Sequence, residues 1–387
     1  MKKVCVVTGS RAEFGLLSNL MIEIKNSALL ELQTIITGSH LALEYGFTLD
    51  EIMSHGLQID KKVEMLLSSD TSVGITKSAG LALLGFADAF EDLKPDAVVL
   101  LGDRYEIFSA AIACLIAQIP VVHIHGGELT EGAYDDTMRH CITKIADVHF
   151  VATEEYKKRV VQLGEQPEMV INVGGLGADN LSFCKLIDKN QLEKDMDFKF
   201  LERNILVTIP PETSGLEDTD SVVTATMDAL SKTLNIGIIF TFPNADVGSA
   251  FIIKEIEKFC KNNANAKAFP SLGMERYFSC INVVDGVVGN SSSGLLEVPS
   301  FKKGTVNIGN RQKGRVAASS VIHCNSRSDE IFAAVEYMLS EEFTLQLAET
   351  FDPYDKPGTV KKITGFLERT TFSKKRGKNF FDVEFSF

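Results

Sequence analysis

The chain predicts an α/β protein built from two doubly wound, Rossmann-type parallel sheets that face each other across an interdomain cleft. Three observations predict it. Short apolar, β-branched runs alternate with helix-like stretches along most of the sequence, which is βαβ grammar and hence a parallel sheet. Most of these runs end in a turn of Gly, Ser, Asp or His, the place where open α/β sheets carry their ligands. The alternation lapses once, over 185–203, and then resumes, so the 387 residues divide into two α/β halves rather than one very large one.

In the first half the strands are Val4–Thr8, Thr34–Thr37, Ala97–Leu101, Val121–Ile124 and Val148–Ala152. Each is β-branched and apolar enough for a buried parallel strand, and helix-like stretches follow, the most apolar being Ile107–Ile116. The charged segment Lys185–Arg203 has few strand formers and separates a first domain over 1–184 from a second over 185–357. Second-half strands are Ile205–Ile209, Ile236–Phe242, Ile281–Val288 and Thr305–Ile308. After Pro357, a helix-like Thr359–Arg369 opens a C-terminal segment, 358–387, expected to rejoin the first domain. Neither a repeat nor a low-complexity tract interrupts this plan.

Bulk properties exclude several classes. A net charge of −13 and a pI near 5.1 argue against nucleic-acid binding, so an anionic substrate must be held by a few local donors. The seven cysteines form no C-x-x-C pair and fall mostly in apolar segments, as small buried hydrophobes do. Met1-Lys2-Lys3 runs directly into a strand, and no apolar run approaches the roughly 20 residues of a membrane span, so no membrane partner and a cytoplasmic location are expected.

The most informative stretch is Gly289-Asn290-Ser291-Ser292-Ser293-Gly294, followed by Leu295, Leu296 and Glu297. Small residues between an apolar strand and a helix free backbone N–H groups for an anion, and Glu297 is one turn further in, able to accept from a ribose. The plainer reading is a capped strand-to-helix turn. Arg11, in Thr8-Gly9-Ser10-Arg11-Ala12-Glu13, offers a fork of donors to a diphosphate or else a surface pair with Glu13; the stretch is neither a dinucleotide fingerprint nor a P-loop. Asp103 and Arg104 end the third strand. His123-Ile124-His125-Gly126-Gly127-Glu128 ends the next and leads to Asp135, Asp136, Arg139 and His140. So many ionisable groups at strand tips are costly to place together unless chemistry uses them. Period two puts His123 and His125 on one face, and with Asp103 they are compatible with a metal site, although no further His or Cys stands at ligand spacing. A Ser-His-Asp elbow is absent. In the second half Asn244 and Arg311 fall at polar turns, Arg276 with Tyr277 ends a short helix before the strand that leads to the serine run, and together they complete a plausible pocket for a nucleoside diphosphate.

Taken in order, these motifs resemble the hydrolysing UDP-N-acetylglucosamine 2-epimerases, most closely the bacterial sialic-acid-pathway branch. The shared stretches include V-T-G-S-R-A-E-F-G, L-G-D-R-Y-E-I-F-S, H-I-H-G-G-E, D-D-T-M-R-H-C-I-T-K, N-A-D-V-G-S, G-N-S-S-S-G-L-L-E-V-P-S and G-N-R-Q-K-G-R, and they span the chain to about Arg315. The resemblance implies a GT-B-like fold, no cofactor, a homo-oligomer (dimer or tetramer), and elimination of UDP to a 2-acetamidoglucal followed by hydration. By position it implies Asp103, His125, Glu128, Asp135 and Asp136 as the acid–base set. Arg11, Arg139, Asn244, Arg276, Ser291, Ser292, Ser293, Gly294, Glu297 and Arg311 would bind substrate, and no metal is used. UDP-N-acetylglucosamine giving N-acetylmannosamine is the expected reaction; UDP-2,4-diacetamido-2,4,6-trideoxyglucose is the alternative sugar, and a GT-B glycosyltransferase or an inactive sugar-nucleotide sensor the alternative activity. Two departures stand out: His125 replaces an acid of some relatives, and Pro210 stands where relatives carry a histidine.

Overall fold

Alternation at period two decides where each strand residue goes. The computed structural model describes all residues except 43–48, 68, 70, 132–133, 212–217, 244–248, 374–376 and 385–387. In strand β1 (Lys2–Thr8) Val4 and Val6 join one buried cluster while Cys5 and Val7 join another, and β4 (Ala97–Leu101) divides its residues the same way. Both faces of the sheet are therefore covered, which explains runs without polar alternation.

The chain forms two units, Met1–Glu128 with Tyr134–Asn180 and Lys356–Phe387, and Leu129–Ala133 with Leu181–Asp355. The first carries a seven-stranded sheet in the order β3-β2-β1-β4-β5-β6-β7. Its other strands are β2 (Leu30–Thr37), β3 (Lys61–Val63), β5 (Val121–Ile124), β6 (Val148–Val151) and β7 (Val170–Asn172), every pairing parallel. Between them run α1 (Arg11–Asn26), α2 (Leu49–Ser54), α3 (Ser72–Leu93), α4 (Tyr105–Ile116), α5 (Tyr134–Ile145), α6 (Glu154–Gln162) and α7 (Leu176–Asn180). The order reverses between β1 and β4, so the chain leaves their carboxyl ends toward opposite faces of the sheet, into α1 on one and α4 on the other.

On one face Phe14, Leu17, Leu20, Met21 and Ile24 of α1 pack with Val360, Ile363 and Leu367 of the C-terminal helix, Thr359–Arg369; on the other, Phe86 and Phe90 of α3 pack with α4. Each fully buried side chain of this size contributes about 1.5–3 kcal/mol. The C-terminal helix is tied in by polar bonds as well. Gly358 and Val360 N–H donate to the Asp179 carboxylate at 2.9 and 2.8 Å, and Lys2 Nζ donates to the carbonyls of Leu367 and Thr370 at 2.7 and 2.6 Å.

One expectation is corrected by α3. This 22-residue helix is long and apolar enough, by length and composition, to cross a membrane, with mean hydropathy 1.3 over its best window. Its interruptions, Lys77 and Asp88, disguise the run in the sequence. Ala82, Phe86, Ala89 and Phe90 are nonetheless core residues of the first unit.

The second unit has a six-stranded parallel sheet ordered β10-β9-β8-β11-β12-β13. Its elements are α8 (Lys189–Met196), β8 (Arg203–Thr208), α9 (Thr219–Lys232), β9 (Ile236–Thr241), α10 (Ser249–Asn262), β10 (Ala266–Phe269), α11 (Gly273–Val283), β11 (Gly286–Gly289), α12 (Ser293–Leu296), β12 (Gly304–Ile308), β13 (Val321–Cys324), α13 (Ser328–Met338) and α14 (Glu341–Gln346); the C-terminal helix of the first unit is α15. Ile205 and Val207 face one cluster and Leu206 the other. The expected strand Ile281–Val288 is corrected: Ile281–Val283 ends α11, and the strand starts only at Gly286. Ile281 and Val284 are fully buried, so the apolar run reports burial and not extension. Reversal of the order falls between β8 and β11.

Candidate functional site

At the carboxyl edge of the first sheet, Gly102 (φ 79°) turns the chain after β4, and its N–H donates to the Ile124 carbonyl at 3.1 Å. His123 Nε2 lies 2.8 Å from the Gly102 carbonyl, which only accepts, so that nitrogen carries the proton; Nδ1, 3.2 Å from the Thr143 hydroxyl, accepts. Burial pushes His123 down to about 3 and keeps it neutral. Both ring nitrogens are engaged, so His123 does not fit a metal ligand, and no group of three or more His, Cys, Asp or Glu is arranged to hold a metal among the described residues.

The turn delivers Asp103 to the buried Arg139 of α5, whose guanidinium donates to it and also stands 3.7 Å from Asp136. Burial opposes the guanidinium's charge, but Asp103, Glu128 and Asp136 together raise its pKa above the ordinary value. His140 Nε2 is 3.3 Å from the other oxygen of Asp136. Asp135, in the first turn of α5, is pushed up to about 6, first by burial and then by the charge of Asp103. Asp103 and Asp136 side chains keep 20% and 22% of their surface exposed, so both are open to solvent while Arg139 stays inside.

His125 follows the end of β5 with φ 65°, a left-handed conformation that costs a non-glycine residue about 1–3 kcal/mol. This overturns the shared face expected for His123 and His125, because the strand has already ended. The strain brings His125 Nδ1 to 2.8 Å from Glu128, both buried. Gly127 (φ 79°) permits it: a Cβ there would stand 2.5 Å from the Tyr156 carbonyl. Asp103, His125, Glu128, Asp135, Asp136 and Arg139 thus fall on one connected edge.

The second unit has its own polar edge at the β8/β11 reversal. The Tyr277 hydroxyl donates to Ser293 Oγ at 2.8 Å, and Thr208 and Thr241 hydroxyls meet at 2.7 Å. Burial raises both Tyr277 and Glu297 above their ordinary pKa values. Two donors converge on the Asn290 carbonyl, Arg311 at 3.1 Å and Gln312 at 3.0 Å, and Gln312 in turn accepts from Arg315 at 3.1 Å. The helix expected after the serines is a single turn, α12, so a cradle there rests on individual N–H and hydroxyl donors and gains little from a helix dipole.

Other expectations meet different neighbours. Arg11 is half-exposed and pairs with Glu51 at 3.1 Å instead of Glu13. Arg276 lies in the first turn of α11, not at its end, and its Nε donates to the Leu272 carbonyl at 2.9 Å. Asn244 lies outside the described residues. Sequence reasoning gave Glu13 and Glu106 no role beyond helix starts, yet both are buried beside Arg104. The signal was Gly9, whose missing side chain leaves the room Glu106 occupies.

Two parallel-sheet α/β units with polar residues gathered where each strand order reverses define a protein of GT-B-like architecture. The chain belongs to the UDP-N-acetylglucosamine 2-epimerase family, whose model matches residues 22–368. It is 42% identical over 343 residues, 88% of each chain, to the GDP/UDP-N,N′-diacetylbacillosamine 2-epimerase (hydrolysing) of Campylobacter jejuni. It is 38% identical to the polysialic acid biosynthesis protein P7 of Escherichia coli, covering 99% of this chain and 98% of that one. Its fold is that of the Neisseria meningitidis UDP-GlcNAc 2-epimerase solved with UDP-GlcNAc, with TM-score 0.80, 19% identity, and coverage of 95% of this chain and 100% of that chain.

Proposed function

We propose that this protein is a hydrolysing 2-epimerase of a UDP-2-acetamido sugar, with UDP-2,4-diacetamido-2,4,6-trideoxyglucose the preferred substrate. The observation that carries the reaction is the connected edge of Asp103, Arg139, Asp136, Asp135, His125 and Glu128. Removing the weakly acidic hydrogen at sugar C2 needs a fixed base, and re-adding one there needs an acid. Asp103, held by Arg139, is the base; Asp135, pushed up to about 6, is poised to carry a proton near neutral pH and is the acid. As the C2 proton leaves, the C1–O bond to UDP breaks and 2-acetamidoglucal forms. Water then adds its hydroxyl at C1 while a proton enters C2 from the opposite face, giving the free 2-epimeric sugar.

In the second unit Ser291, Ser292, Ser293, the Gly294 backbone and Arg311 hold the diphosphate, and Glu297 the ribose. Arg311 is already oriented by the Asn290 carbonyl, so little rotamer freedom is lost when phosphate binds. Donors fixed before reaction stabilise the charge growing on the departing β-phosphate. Arg11, pinned by Glu51, belongs with the sugar-side groups.

The diacetamido sugar is favoured by the 42% identity to the Campylobacter protein. A second reading, UDP-N-acetylglucosamine giving N-acetylmannosamine for sialic acids, is favoured by the family's own description and by near full-length similarity to the polysialic acid protein. Proton NMR in heavy water with each UDP sugar in turn separates them. Release of UDP with a free 2-epimer deuterated at C2 is expected, fastest from the diacetamido sugar; a released sugar retaining its C2 hydrogen sinks the mechanism, and faster turnover of UDP-N-acetylglucosamine reverses the choice of substrate.

A further inference from the structure

Three turns of the first unit, after β1, β2 and β4, close on two buried carboxyl groups. Glu13 Oε2 accepts from the Gly9 N–H at 2.7 Å; the Gly9 carbonyl accepts from the Ser39 N–H at 2.9 Å and the Ser39 hydroxyl at 3.1 Å. Gly38 (φ 57°) comes so near that a Cβ on it would stand 2.6 Å from the Gly9 carbonyl, and one on Gly9 would stand 2.6 Å from Glu106 Cγ. Arg104, next to Asp103, serves both acids: its Nε is 2.5 Å from Glu106 Oε1 and 3.9 Å from Glu13 Oε1. Glu13 Oε1 and Glu106 Oε2 are buried without a hydrogen-bond partner among the described residues. One guanidinium cannot neutralise two buried carboxylates, and an uncompensated buried charge is expensive.

We propose that Glu13 is held as the neutral acid of a two-carboxyl pair with Glu106, and is a positioning residue that locks the three turns around Asp103. Burial first, and the like charge of Glu106 second, push Glu13 up to about 8, against the pull of Arg104 and of the Gly9 N–H. The other charged or titratable groups nearby are Asp103 on the β4–α4 turn, His40 after β2, pushed down to about 4 by burial and so neutral, and Arg11 on the same helix, paired with Glu51 of α2; Tyr105 of α4 and Tyr134 and Asp135 of α5 face the Arg104–Glu106 side of the pair, and Glu13→Gln leaves all of them in place. Ionising Glu13 sets two like charges side by side and loosens the turn that carries Arg104 and Asp103.

The inference rests on the epimerase reading for its catalytic consequence only, and a stability measurement tests the proton without any substrate. In unfolded chain Glu13 ionises near its ordinary 4.5, whereas in the folded protein it stays protonated to about 8. Ionisation therefore favours the unfolded state progressively from about pH 4.5 to 8, and the effect levels off above 8. Glu13→Gln keeps the shape of the neutral acid and lacks the proton. Its unfolding constant in urea, relative to wild type, falls by up to about tenfold per pH unit across that window. A ratio independent of pH overturns the neutral acid.

With UDP sugar, wild-type kcat falls above about pH 8, while Glu13→Gln retains kcat within about threefold at pH 7 and stays flat to pH 9. Glu13→Ala, which frees the turn, loses at least about tenfold in kcat at every pH, with KM moved less. A limb at pH 8 that persists in Glu13→Gln, the absence of any such limb in wild type, or a collapse of Glu13→Gln to the level of Glu13→Ala each refutes the positioning role.

Discussion

At the scale of single residues, charge is spent at a few positions and neutrality is imposed at the rest. Asp103 owes its place to a left-handed glycine before it, a neutral histidine beneath it and a buried arginine beside it. The substitution Asp103→Asn keeps that volume and removes the charge, so kcat should fall by about 10²–10⁴-fold. On the proposed reading the other unit's residues hold UDP, so its Kd should move by less than tenfold, about 1.4 kcal/mol. Steady-state kinetics with UDP titration checks both, and an unchanged kcat removes Asp103 from the chemistry. The types and order of the residues on this edge are legible in the sequence, because acids, histidines and glycines rarely crowd one strand tip without reason. Their pairings are not: that His125 turns left-handed toward Glu128, or that Arg11 reaches Glu51, depends on backbone angles and on a helix far along the chain.

At the scale of elements, the strands read directly from sequence are the central ones, and the four that escape it, β3, β7, β10 and β13, are the edges of their sheets. Each has three or four residues, and β3 is Lys61-Lys62-Val63, β10 Ala266-Lys267-Ala268-Phe269. An edge strand is covered on fewer sides, needs fewer apolar residues, and is often charged to discourage further pairing, so the hydrophobic signal fades there. The opposite error, extending β11 back to Ile281, arises because a buried helix end and a buried strand share composition. Gly289 closes that strand with φ 141°, and a Cβ on it would stand 1.9 Å from the Thr208 carbonyl oxygen of β8. Gly289→Ala should therefore cost at least about 3 kcal/mol through combined backbone strain and overlap with a strand that cannot move aside. Urea denaturation reads it, and a loss under about 1 kcal/mol would show that the turn relaxes freely.

At the scale of the whole molecule, long-range ties along the C-terminal segment hold the first unit. Glu165, buried, meets His149 at 3.0 Å, Lys144 at 2.7 Å and Lys378 from beyond α15. Burial alone would raise its carboxyl, but hydrogen bonds from these three outweigh it and hold Glu165 down to about 2. A depressed carboxyl stabilises the fold above its ordinary range and loses that contribution as pH falls from about 4.5 to 2. Lys378→Met should lower stability by about 1.5–3 kcal/mol at pH 7 and by less at pH 3, where Glu165 is already largely protonated in the unfolded chain. Paired denaturation curves at the two pH values decide it; equal losses at both would mean that Lys378 acts by packing alone.

The return of α15 to the face of the first sheet has a consequence for biosynthesis. Phe14, Leu17 and Met21 of α1 share a cluster with Val360, Ile363 and Leu367, which the ribosome makes only after the whole of the second unit. The amino-terminal lobe is thus left with a naked hydrophobic seam throughout translation of the middle of the chain, and the later-made lobe has all of its strands before the earlier one is sealed. Order of synthesis and order of completion are inverted in this polypeptide.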